Sequence, residues 1–137
     1  MLKMKSLAAA AVMATVLGVC GQAVVRAEDV VTDGEVLQTA SFIGENDHVV
    51  SGEVQLVQNG EVFYIVLGED FSFDGAPDPR LGFSANDEFD EASTFSGLNL
   101  DSGKQVYRLP ATLDVSQFDE LTILCEKFSV PLAEAKF

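Results

Sequence analysis

One thiol and one imidazole, Cys125 and His48, are the residues of this chain best suited by type to redox, ligand or nucleophile chemistry. Cys125 lies in the run Leu121-Thr122-Ile123-Leu124-Cys125-Glu126-Lys127-Phe128, and the other cysteine, Cys20, falls in an N-terminal segment with the features of an export leader. Such a thiol would be unpaired in an oxidising compartment, where cysteines usually come in pairs. Two acidic stretches, Asp70 to Asp78 and Asn86 to Glu91, supply hard oxygen ligands, with Asp74, Asp78, Asp87 and Asp90 as weak calcium candidates. Neither stretch follows the twelve-residue spacing of a helix-flanked calcium loop, and a solvated acidic loop explains both.

The leader reading rests on the first 27 residues. Lys3 and Lys5 precede the apolar stretch Leu7 to Val19, and Val25-Arg26-Ala27 offers a cleavage site after Ala27. This is the pattern of a secretory signal peptide, so export to periplasm, cell surface or medium is expected. The apolar stretch is short for a bilayer-spanning helix, which makes a permanent anchor the weaker alternative. Leu17-Gly18-Val19-Cys20 has the outline of a lipoprotein site, with Val19 bulkier than the residue that normally precedes a lipidated cysteine.

Cleavage would remove Lys3, Lys5 and Arg26 from the eight basic residues, leaving five against 22 acidic ones, a formal net charge of −17. So negative a surface repels phosphate backbones and anionic lipid headgroups, so nucleic acid and membrane are not expected partners. An unidentified protein or redox partner remains open. Met1, Met4, Met13 and Cys20 would leave with the leader, and the mature chain would then have one Cys, one His and no Met.

That inventory excludes sites by ligand count. A covalent haem needs Cys-x-x-Cys-His, an iron–sulfur cluster needs about four cysteine-type ligands, and blue copper needs two His and one Cys. A Cys-and-His zinc site fails in the same way. What remains is a free thiol, a non-covalent group gripped by Cys125 and His48, or a Cys–His nucleophile pair with no identifiable third residue.

The elements that must position these groups read as strands. Residues 28–34 form a short lead-in, and 35–137 is long enough for one hydrophobic core. Val49 to Val57 and Val62 to Leu67 flank Asn59-Gly60, which predicts a two-residue hairpin turn opposing Leu56 with Phe63 and Val54 with Ile65. A second hairpin is expected from 97–100 and 105–109 around Asp101-Ser102-Gly103-Lys104. Val36 to Ile43, Arg80 to Phe83, Leu121 to Phe128 and Leu132 to Phe137 are further strand-like segments. With no sustained helical period, the expected fold is an all-β antiparallel sandwich or barrel-like sandwich of one domain. Cys125 shares parity with Leu121 and Ile123, and His48 with Val54 and Leu56, so both could face one core. Cys125 is expected to be buried on a central strand. A core-filling cysteine and a hydrogen-bonded loop-edge histidine are the simpler readings of the two residues.

Five motifs in order resemble the electron-transfer DM (DM-thirteen) domain family. They are Phe42…His48…Gly52; Asp70-Phe71; Gly75-Ala76-Pro77-Asp78-Pro79; the run from Gly103 to Pro110; and Cys125-Glu126-Lys127-Phe128-Ser129-Val130 with Ala135. The resemblance spans roughly residues 38 to 137. It implies an extracytoplasmic β module with a redox role for the cysteine that maps to Cys125, as a bare thiol or as a ligand to a group such as haem. It points to a redox module and not to a turnover enzyme. Leu124 stands where the family often has an aromatic residue, and Ala76 separates Gly75 from Pro77, where the family favours Gly-Pro-Asp. The alternative is a non-catalytic binding or surface module with acidic loops and a structural buried thiol.

Overall fold

The computed structural model describes residues 33–137. The expected leader, its cleavage site at Ala27, Cys20 and most of the 28–34 lead-in lie outside the described residues.

The described chain forms twelve strands, four of them only two residues long. They are β1 (Glu35–Ser41), β2 (Ile43–Gly44), β3 (Val50–Ser51), β4 (Glu53–Asn59), β5 (Val62–Leu67), β6 (Ser72–Phe73), β7 (Pro79–Ala85), β8 (Glu88–Asp90), β9 (Ser96–Gly97), β10 (Gln105–Arg108), β11 (Glu120–Cys125) and β12 (Val130–Lys136). One sheet runs β1-β4-β5-β10 and the other β2-β12-β11-β7-β8, with β9 also on β7; β3 and β6 form a small ribbon. All pairings are antiparallel. The fold is an all-β sandwich, as the strand periodicity requires. Its core joins Val54, Leu56, Ile65, Leu67 and Tyr107 of the first sheet to Leu81, Phe83, Leu121, Ile123, Cys125, Ala133 and Ala135 of the second. Phe83 stacks on Phe118 at 5.4 Å and meets Phe95 at 5.5 Å, and Phe95 meets Tyr107 edge-on at 6.2 Å. This aromatic chain ties the two sheets together.

Three local expectations are corrected. The β4–β5 turn is Gly60-Glu61 instead of Asn59-Gly60, so Leu56 pairs with Ile65 and Val54 with Leu67. Gly60 has φ +63 while Glu61 is not in the left-handed region, which is the type II′ arrangement with glycine first. A shift of two keeps every side chain on its expected face, so the core face survives the wrong register.

The hairpin expected over 97–109 does not form. Ser96–Gly97 pairs with β7, and Gln105–Arg108 pairs with β5. In its place the Gln105 amide accepts from Leu100 N at 3.0 Å and donates to Leu100 O at 2.8 Å, standing in for a strand residue.

The continuous strand expected from Val49 to Val57 is broken at Gly52, which has φ +111. A Cβ there would lie 2.5 Å from the Phe71 Cα and 2.7 Å from its nitrogen. The close pass is fixed by hydrogen bonds from Phe42 N to Gly52 O, Gly68 N to Glu53 O, and Glu53 N to Asp70 Oδ1. Phe42 and Phe71 pack with ring centres 5.3 Å apart, and Gly103 N donates to Phe71 O at 3.0 Å. Residues Phe42, Gly52, Asp70, Phe71 and Gly103 of the sequence motifs are therefore one structural knot.

Candidate functional site

Cys125 ends β11, the strand flanked by β7 and β12, opposite Pro79 and Val130. It is 2 % exposed and belongs to the core with Leu121 and Ile123, as strand parity predicts. The turn that follows is held by Phe128 N donating to Cys125 O at 3.3 Å and by Glu126 N donating to Asp78 O at 3.0 Å. Among the described residues the thiol makes no hydrogen bond, and Cys125 lines none of the five surface hollows described. This is an apolar thiol environment.

His48 sits apart from that thiol. The strand expected from Val49 starts one residue later, as β3 at Val50, and Asn46-Asp47 form a left-handed turn ahead of it. The His48 ring lies 6.0 Å from the Phe73 ring, and its Nδ1 is 2.8 Å from Asp74 Oδ1. Asp74 Oδ2 also accepts from Val49 N, and this bond, followed by that of His48, holds the Asp74 carboxyl below the usual aspartate range. His48 is thus a hydrogen-bonded loop-edge residue, engaged with Asp74.

The four calcium candidates are dispersed. Asp74 serves His48, Asp78 pairs with Arg80 at 3.0 Å, and Asp90 caps a short 3-10 turn through Ala92 N at 2.9 Å. Asp87, at the Asn86-Asp87 turn between β7 and β8, joins two residues that the sequence motifs did not single out. Its carboxylate and those of Glu120 and Glu134 offer oxygens within 4.8 Å of one another. The Lys136 ammonium lies among them, 2.7 Å from Asp87, 3.6 Å from Glu120 and 3.5 Å from Glu134.

This group lies on the outer face of the second sheet. Because Leu121, Ile123 and Cys125 point inward, Glu120, Thr122 and Leu124 point outward. There they meet Ser84, Phe89 and Glu134 in a hollow of about 440 Å³ that also includes Glu45, Asp87 and Glu91. Ser84 and Thr122, both 3 % exposed, satisfy each other at 2.6 Å. The available signal was Glu120 and Thr122 alternating with Leu121 and Ile123, and Glu134 and Lys136 alternating with Ala133 and Ala135.

Burial, then the neighbouring carboxylates, raises the Glu120 carboxyl above its usual range. Glu45 is raised by burial and then by Glu134, whereas the Lys136 hydrogen bond holds Asp87 below its usual range. A raised carboxyl keeps its proton longer in the folded protein than in the unfolded chain. Its folding contribution therefore declines as pH rises from the unfolded value of 4.5 through the folded one. Asp87 and Asp74 act in the opposite sense, below the unfolded value of 3.8. We expect Glu120→Gln to flatten the fall in stability between pH 4.5 and neutrality, measured as urea midpoints across that range. An unchanged slope would remove Glu120 as its source.

A family model described as electron transfer DM13 matches residues 41–137. The chain belongs to the electron transfer DM13 family. No curated protein sequence and no solved structure matches it. The match covers every strand of this DM13 domain after β1, including Cys125 and both acidic stretches. No described helix is long and apolar enough to cross a membrane.

A haem held by Cys125 does not fit the arrangement of this DM13 domain. Cys125 is buried in the packed hydrophobic core, the Leu124 position lacks an aromatic ring, and the His48 Nδ1 is engaged with Asp74. Drug-sized and cofactor-sized ligands occupy hollows of roughly 300–1,000 Å³. The hollow in that range next to β11 opens on the opposite face of the strand from Cys125.

Proposed function

We propose that this DM13 domain is an exported redox module whose centre is the Cys125 thiol. The observation that carries the reading is the protected position of Cys125 at the end of the central strand, in a chain whose family is one of electron transfer. Burial keeps the sulfur from casual oxidation and from stray disulfides, and it also withholds it from small reagents. Direct thiol chemistry then requires the packing around Cys125 to open.

Redox titration of the protein beside Cys125→Ala tests this. Against a glutathione redox buffer the reading expects the native protein, and not the variant, to pass reversibly between free thiol and mixed disulfide, one glutathione thiol being released for each mixed disulfide formed. No transition in either protein would overturn it.

A second reading is favoured by the closed packing around the sulfur: a non-catalytic binding module in which Cys125 fills the core. Under either reading, alkylation of native Cys125 should be slow and become complete on unfolding. Cys125→Ser should cost about 1–3 kcal/mol, because its hydroxyl would be buried without a partner. Rapid labelling of the native protein would mean that the packing around Cys125 opens readily. Denaturant titration of Cys125→Ser measures the cost.

A further inference from the structure

We propose that the outer face of the second sheet is a docking surface for a basic protein segment, whose lysine or arginine side chains enter the groove along β11. The inner face of this sheet is covered by the first sheet, whereas on the outer one the Phe89 ring and Ser93 close over Gly82 and leave a hollow beside them. That face is concave. The hollow of about 440 Å³ continues into a second of about 260 Å³ beside Arg80 and Glu126, the two sharing Phe89, Glu91, Leu124 and Ser129.

Charge selects the partner. Five carboxylates, those of Glu45, Asp87, Glu91, Glu120 and Glu134, line the larger hollow, and Lys136 is the base that pairs with three of them. Uncompensated negative charge in a cleft focuses the field and speeds the arrival of cations. The remaining lining favours a long side chain over a bare ion. Phe89, Leu124 and Pro131 provide apolar wall for a lysine or arginine stem, and the Ser84–Thr122 pair forms a polar floor. The triangle of Asp87, Glu120 and Glu134, where a metal ion would bind, is already filled by an ammonium. A basic segment would extend that ammonium–carboxylate pattern towards Glu91. Because the surface is rich in acids elsewhere, the claim concerns location, and it does not depend on Cys125.

The test titrates the isotope-labelled protein with an eight-lysine peptide and follows amide shifts, with an eight-glutamate peptide and calcium chloride as separate arms. The expected shifts centre on Ser84, Phe89, Thr122, Leu124, Ser129 and Glu134 and diminish with added salt. Glu91→Gln with Glu134→Gln should weaken binding roughly tenfold, a loss of about 1.4 kcal/mol. Glu35→Gln with Glu61→Gln, on the other sheet, should leave it unchanged. Unfolding midpoints matching the parent would show that both double variants keep the fold. Shifts spread equally over Glu35, Glu61 and Glu69, undiminished binding by the groove variant, or a response to calcium but not oligolysine would each overturn the proposal.

Discussion

Replacing Phe83 by alanine should bring the domain close to its unfolding threshold. Phe83 is 2 % exposed on β7, stacks on Phe118 and packs on Phe95, which reaches Tyr107 across the sandwich. Truncating a buried phenylalanine costs about 3–5 kcal/mol, partly as lost transfer energy and partly as the cavity left behind. A domain of this size is stable by only about 5–15 kcal/mol in total. The loss should also loosen contact between the two sheets, because the removed ring links both. Denaturant titration of the variant checks this, with a lower midpoint and an unchanged slope expected. A loss below about 1 kcal/mol would mean that Phe95 and Phe118 close the gap, contrary to the usual limits on core relaxation.

Gly52→Ala should be comparably damaging for a different reason. The added Cβ would stand 2.5 Å from the Phe71 Cα, and the backbone already has φ +111, where L side chains are strained by about 1–3 kcal/mol. A flexible side chain could turn away from such a collision, but the atoms facing Gly52 are backbone. Relief would have to pull Phe71 from Phe42 and loosen the bond from Phe42 to Gly52 O. We expect a total loss above about 3 kcal/mol, with weakened hydrogen-exchange protection of the Phe42 and Gly103 amides. Normal protection at both amides would show that the pass is less rigid than its geometry suggests.

Sequence pattern identified β4, β5, β7, β11 and β12, β5 as a continuous apolar run and β11 by alternation long enough to fix a buried face. It located Cys125 correctly, since Leu121, Ile123 and Cys125 share one parity and the β11–β7 register is uninterrupted. Local turn chemistry was less informative. Asn59-Gly60 favours one hairpin, but opposing Val54 with Leu67 and Leu56 with Ile65 buries all four residues and moves the turn one residue on. The 97–109 segment failed because strand pairing there is decided by distant β5 and β7. His48 seemed aligned with the core only while the strand was assumed to pass straight through Gly52. The Glu120 groove was hidden for a similar reason: Asp87, Glu120 and Glu134 converge only after β7, β11 and β12 pair.

The edges of the second sheet have a consequence for solubility. Its outermost strands are the two residues of β2 and the three of β8, and the latter are Glu88-Phe89-Asp90. On the first sheet, the longer edge strand β1 carries a register shift between Val36 and Gln38, and β10 at the other edge has four residues. Short, acidic or bulged edges give an incoming chain few consecutive backbone groups to zip onto. The seven-residue β1, with Val36 and Leu37 exposed, is therefore the edge most open to recruitment, and its register shift is what interrupts the row of backbone groups it offers.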